Sequence, residues 1–284
     1  MAGTTIAQAI PIAISPILTR IYTPEDFGVF ALFIGVVGVI SVIATLTYEQ
    51  AIILPKYDKY AINIFMLSLI LILFTSIFSF IIIFSFKEEI LNLLNNDLLG
   101  NWLFFVPITV FFLALFNLLT NYNNRIKEYK DIAKATVIKS LVLSIIQVLI
   151  GFLKSGFAGL ILGQVLAQIF ANFKLAKNIL KNKILLSSVS YIQMLVLARK
   201  YFNFPKYHMP HALFGNISSY LPIYIFTPFF GSAIVGKYSL ALMIVLTPLS
   251  IIINSNAKVY NQKLAELYNK KENVYVFTLN LIKS

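Results

Sequence analysis

Few side chains in this sequence have an evident use in chemistry, and most of those are charged or amide groups stranded among apolar residues. Glu49 is the clearest, lying inside "LTYEQAIILP", Leu46 to Pro55, with apolar neighbours on both sides. A carboxylate so placed either pairs with a cation or sits protonated, which suits a proton- or cation-coupling group. A fixed ion pair holding two helices together is the structural alternative, and Lys56 lies seven residues on, about 10 Å along a helix. Arg125, Lys139 and Lys154 are the cationic candidates. An anionic ligand would need a positive wall, and an arginine such as Arg125 suits bidentate contact with oxyanions. The two lysines equally suit snorkelling to headgroups. Arg20 stands between two apolar runs, as an anchor in a loop or as a contact for a departing anion.

Gln164 and Gln168 form a stripe beside Gly159, Gly163 and Ala167. The small residues at intervals of four let a neighbouring helix approach closely. The glutamines then either hydrogen-bond between helices or line a polar cavity. His208 and His211, the only histidines, have no carboxylate or thiolate company and make a poor metal site. With no cysteine there is no thiolate chemistry, disulfide or Cys-based metal site. No nucleotide-binding loop, hydrolase constellation or transferase constellation is present, so neither an enzyme nor a cofactor is expected, and an ion gradient is favoured over ATP hydrolysis as the energy source.

The elements that position these groups are apolar helices. At 59% hydrophobic, 12% charged and a mean hydropathy of +0.83, 284 residues carry more apolar surface than a soluble core of this size buries. Uncharged runs predict about eight spans: Met1–Thr19, Phe27–Tyr48 (continuing past Glu49 to Leu54), Ala61–Phe86, Trp102–Tyr122, a fifth beginning near Ala133 and ending at Leu153, Ser155–Phe173, Ala212–Gly236 and Tyr238–Ala257. A further run opens at Asn273 and ends after "TLNLIKS", too short to cross.

Arg20, Lys87, Lys154 and Lys237 are the only basic residues in connections after odd spans. Those after even spans hold Lys56 and Lys59, the Arg125–Lys134 group, the Lys174–Lys206 group and the lysines from Lys258 to Lys271. The positive-inside bias therefore predicts a cytoplasmic N-terminus, and it accounts for most of the net charge of +12 without any nucleic-acid partner. In the long connection, Ile184–Leu197 is uncharged, too short to span and flanked by lysines, as in a helix lying on anionic headgroups. Residues 1–177 then form a six-helix transmembrane lobe, 178–206 an interfacial linker, and 207–284 a partial second lobe of two spans and the start of a third. A weak repeat relates the units, aligning Gly28 with Gly236 and Leu32 with Leu240.

"SPILTRIYTPEDFGVFAL" at Ser15–Leu32, "YEQAIILPKYDK" at Tyr48–Lys59, "KYFNFPKYHMPHALFGNISSYLPI" at Lys200–Ile223 and "VGKYSLALMIVLTPLSII" at Val235–Ile252 resemble the Wzx-type bacterial polysaccharide flippases, within the superfamily that includes the MATE exporters. The resemblance runs over essentially the whole chain. It implies an all-α membrane protein with a MATE-like two-lobe helix bundle, in which the first six-helix lobe is complete. It also implies that the cargo is a lipid-linked oligosaccharide repeat unit on undecaprenyl pyrophosphate, moved from the inner to the outer leaflet of the bacterial inner membrane for O-antigen or other lipopolysaccharide synthesis. Polysaccharide polymerase and ligase components are the implied protein partners. The family's arginine near the Tyr-Glu motif is absent, with Thr47 in that neighbourhood. Members have about twelve spans, so the chain reads as C-terminally truncated. Two alternatives stand beside the flippase: a MATE-like exporter of small amphipathic cations, and a truncated, transport-incompetent fragment.

Overall fold

A computed structural model describes residues 2–154, 156–181 and 187–269. All regular structure in these residues is helical. In chain order the elements are α1 (Ala2–Ile21), α2 (Pro24–Ala44), the single turn α3 (Tyr48–Ala51), α4 (Asp58–Ser85), α5 (Lys87–Leu94), a 3-10 stretch (Asp97–Phe104), α6 (Phe105–Arg125), α7 (Tyr129–Phe152), α8 (Ala158–Leu180), α9 (Tyr191–Lys200), a π-helical turn (Phe204–His208) and α10 (Met209–Asn269). Among the described residues six helical stretches are long and apolar enough to cross a membrane, and Ala7–Ile21 is a shorter apolar helix. By contact density, Met1–Leu240 is one compact unit and Ala241–Ser284 another.

Burial explains why these helices associate. α7 packs against α8 and α1, and α6 against α8, α4 and α2. Leu32, Phe33, Ile62, Ile72, Leu118 and Ile161 are fully enclosed between them. The outward side of α4 shows Phe74, Ile77, Phe78, Ile81 and Phe84, an apolar face of the kind that hydrocarbon covers. The small-residue stripe of α8 does what its spacing predicts. A side chain at Gly159 would strike the Tyr22 hydroxyl, and one at Gly163 would lie 2.7 Å from Gln147 Cγ. Tyr22 uses the room to donate its hydroxyl to the Gln147 carbonyl at 2.6 Å. At the end that carries Arg125, Asn178 donates to Asn123 Oδ1 (2.7 Å) and Asp131 Oδ2 (2.9 Å), and Lys174 pairs with Asp131 at 2.9 Å, tying α6, α7 and α8 together.

The Thr23 hydroxyl accepts from Asp26 N–H and Asp26 Oδ2 accepts from Thr23 N–H, a capping box that starts α2, with Pro24 in the first turn where no N–H is missed. Several expectations are revised. The second span does not run on to Leu54; it stops at Ala44, so the helical spacing between Glu49 and Lys56 does not apply. The last predicted break, at Lys237, is instead at Gly231, whose φ of 75° and ψ of 168° favour glycine. Phe226 and Tyr238 have ring centroids 5.5 Å apart, whereas a straight helix would separate residues twelve apart by about 18 Å, so the chain bends sharply there. The linker helix is α9, Tyr191–Lys200, displaced toward the C-terminus from the predicted run. Ile184–Leu186, the Asn273 run and "TLNLIKS" lie outside the described residues.

Candidate functional site

The candidate site is built on α3, in the connection between the α2 and α4 spans. Two consecutive non-glycine residues take left-handed backbone, Leu46 at φ 49° and Thr47 at φ 60°. Such a conformation costs roughly 1–2 kcal/mol per residue, so surrounding contacts must hold it. They do so at three points. The Thr47 hydroxyl donates to the Phe204 carbonyl at 3.2 Å, and the Tyr48 hydroxyl donates to the Ala198 carbonyl at 2.9 Å. On the far side, Arg125 Nη1 reaches the carbonyls of Ile52 (3.1 Å) and Pro55 (2.8 Å), while its Nε and Nη2 fork onto Asp58 Oδ1 at 3.1 and 2.8 Å.

This turn delivers Glu49 into the protein. The residue is 8% exposed and its Oε2 has no hydrogen-bond partner. Burial pushes the carboxyl pKa above its ordinary value, against the opposing pull of Thr45, Gln50 and the residue's own backbone amide. Two cavities share Glu49, Gln50 and Asn117. One, of about 170 Å³, is also lined by Ser41, Thr45, Thr47 and Ala212; the other, of about 500 Å³, by Ile53, Thr120 and Asn121. The Thr120 hydroxyl is buried without a partner in that second cavity's wall. A bare carboxyl oxygen among amides and hydroxyls can take a proton, a single-charged cation or the hydroxyl donors of a sugar.

The residues singled out from sequence do not converge. Arg125 faces a different cavity of about 430 Å³ with Asp58, Asn124, Lys127 and Tyr129, and Ile53 is the wall shared with the Glu49 cavity. Its donors are turned onto protein acceptors. Lys139 is half-buried on α7 with its ammonium 4.6 Å from the centre of the Phe116 ring. Arg20 is exposed at the end of α1. Gln164 is half-buried, and Gln168 is fully buried with neither amide atom partnered. His208 is exposed and stacks on Phe204 at 4.8 Å, and His211 is exposed. Asn117, Thr120 and Asn121 were not foreseen. Their signal was in plain view, because positions i, i+3 and i+4 of "NLLTNYNN" put three polar side chains on one face of a span.

Six helical stretches long and apolar enough to cross a membrane among the described residues define an all-α, multi-pass membrane protein, and a polar recess bearing Glu49 lies between α3 and α6. A family model described as polysaccharide biosynthesis protein matches residues 17–284, and the chain belongs to that family. No curated protein and no solved structure matches it.

Proposed function

We propose that the chain translocates an undecaprenyl-pyrophosphate-linked oligosaccharide repeat unit across the bacterial inner membrane, by alternating access and with an ion coupled through Glu49. The carrying observation is the pair of polar cavities sharing Glu49, Gln50 and Asn117 at one end of an otherwise apolar bundle. Amides and hydroxyls there match the donors and acceptors of a sugar, and the lone carboxylate matches a coupling ion. In this reading the Arg125 end and the N-terminus face the cytoplasm, and the O-antigen or lipopolysaccharide machinery, polymerase and ligase included, receives the product. Lys139, with no carboxylate in ion-pair contact among the described residues, supplies positive charge for the pyrophosphate or an acidic sugar, aided by Arg20 at the exit and by Gln164 along the path. Arg125 serves the same cargo only if it leaves its carbonyl partners.

Surface-polysaccharide display in a flippase-deficient bacterium tests the proposal: display restored by the chain and lost in Glu49→Gln at equal expression supports it, and no restoration sinks it. Orientation is checked with single cysteines at the exposed positions Lys127 and Leu93. An impermeant thiol reagent should reach only the second in intact cells.

The bare carboxyl oxygen also favours a second reading, a MATE-like exporter of small amphipathic cations. Glu49-dependent efflux of a cationic dye, without restored polysaccharide display, would select it.

A further inference from the structure

Two of the three contacts that hold the strained turn beside Glu49 lead to the segment that feeds α10. Thr47, the residue at φ 60°, donates to the Phe204 carbonyl. That same carbonyl accepts the N–H of Met209, the bond that closes the π-helical turn Phe204–His208. Single π-helical turns are sites of altered winding, and they are over-represented where helices change state. Tyr48, on the other side of Thr47 and directly before Glu49, donates to Ala198, one of the last carbonyls of α9 and so without a helical partner of its own. Burial raises the Tyr48 phenol pKa, which keeps it a donor. Two adjacent residues therefore bind the C-terminal end of α9 and the first carbonyl of the π-helical turn, while the next residue presents an unpartnered oxygen to the cavities. The opposite end of the turn is pinned by Arg125 to α6. The segment is thus fixed at Ile52–Pro55 and, at its strained end, tied to a helix entrance, with Glu49 between the two.

We propose that Thr47 and Tyr48 are positioning residues that relay the state of Glu49 to the connector: neutralising or filling the Glu49 oxygen relaxes the Leu46–Thr47 turn and shifts the π-helical turn at the start of α10. The relay rests on the transport reading only for its purpose, since the movement itself is measurable without cargo.

The native chain has no cysteine, so Asn124→Cys and Tyr207→Cys, both at exposed positions, provide a clean spin-label pair in the full chain in lipid nanodiscs. One label reports α6 and the other the π-helical turn. With Glu49→Gln as the permanently neutral state, the label distance should shift by about 2 Å, the scale of helix displacements in switching proteins. Adding Thr47→Val and Tyr48→Phe should abolish that shift, and Thr47→Ser, which keeps the hydroxyl, should preserve it. A role confined to stabilising the fold would lower the melting temperature and leave the shift in place. The relay is overturned if Glu49→Gln leaves the distance unchanged, or if the shift persists in full once both hydroxyls are gone. Polysaccharide display by the same variants is scored separately, so a chain that exports without any Glu49-dependent shift loses the relay and keeps the transport reading.

Discussion

The two ends of one helical turn treat charge in opposite ways. Beyond the C-terminal end of α3, Arg125 turns Nε, Nη1 and Nη2 onto Asp58 and three backbone carbonyls, and its side chain is 11% exposed. At its N-terminal end Glu49 is equally secluded, yet one carboxyl oxygen meets nothing. A buried ion saturated by fixed acceptors is a brace, because any displacement leaves several polar groups unpaired. A buried ion left short of partners is available, because a proton or cation can complete it at small structural cost. The difference sets a braced Arg125 against an unsaturated Glu49, where the sequence alone marks Arg125 as a candidate ligand and Glu49 as a candidate coupling group.

The largest effect on folding should come from Arg125→Ala. The carbonyls of Ile52 and Pro55, both at buried residues, would lose their donor, worth about 2–3 kcal/mol together. Asp58 is 63% exposed, so the ion pair adds little. Arg125→Lys should recover less than half of the loss, since an ammonium cannot fork across carbonyl and carboxylate together. Thermal unfolding in detergent measures both. An Arg125→Ala chain that melts like the native one but fails to export would reverse the comparison and return Arg125 to the cargo.

Glu49→Gln should do the opposite, with polysaccharide display at least about tenfold lower, equivalent to roughly 1.4 kcal/mol on the limiting step, and a melting temperature equal or higher. The pH dependence follows from the direction of the shift. A carboxyl whose folded pKa is raised by burial contributes most to stability below the ordinary glutamate range, and the contribution is lost as pH rises through the raised value. Native stability should therefore decline over that window more than Glu49→Gln does. Parallel profiles for the two chains would mean that the oxygen is not bare in solution.

How much of this was visible beforehand depends on whether the signal is local. Hydropathy sums along the chain, so the third span was expected at Ala61–Phe86 and is found at Asp58–Ser85. Glu49 stood out because a single charge among apolar residues is expensive wherever it ends up. The bend before it was not legible: Leu46 and Thr47 carry no glycine, proline or asparagine to announce left-handed backbone, and Phe204, which holds Thr47, is 157 residues away. The Asp58 partner of Arg125 is 67 residues distant and equally invisible to a window. Gly231 is a local signal of the last break, but it competes in the sequence with Lys237, a charged residue between two apolar runs.

Lys139 gives an intermediate case, a half-buried cation over an aromatic face with no ion-pair partner among the described residues. Lys139→Met keeps the length and apolar bulk while removing the charge. Losing the ring contact and losing the cost of burying an ammonium should nearly cancel, leaving stability within about 1 kcal/mol of native. Display should fall, and fall more for acidic repeat units than for neutral ones, if the charge serves the cargo. Equal display for both cargoes would place Lys139 with the snorkelling lysines.

The smallest effect should come from Gln168→Leu, and it decides whether being buried and unpartnered is enough to mark a residue as responsive. Gln168 is 0% exposed, and neither its amide nitrogen nor its oxygen has a partner; one turn on, Asn172 Oδ1 is bare as well, although its amide donates to the Phe112 carbonyl. By that criterion alone Gln168 resembles Glu49. The physical difference is charge: a neutral amide left unpaired costs about 1–3 kcal/mol and gains nothing from an ion gradient, whereas a carboxylate changes state with it. Gln168 also shares α8 with the buried stripe of Gly159, Gly163 and Ala167. Replacing it with a leucine of similar volume should therefore stabilise the chain slightly, by up to about 1 kcal/mol, with display unchanged. A loss of display at native stability would put the amide on the cargo's path, and Glu49 would then be one of several polar groups awaiting a passing sugar rather than the single carboxylate that answers to an ion.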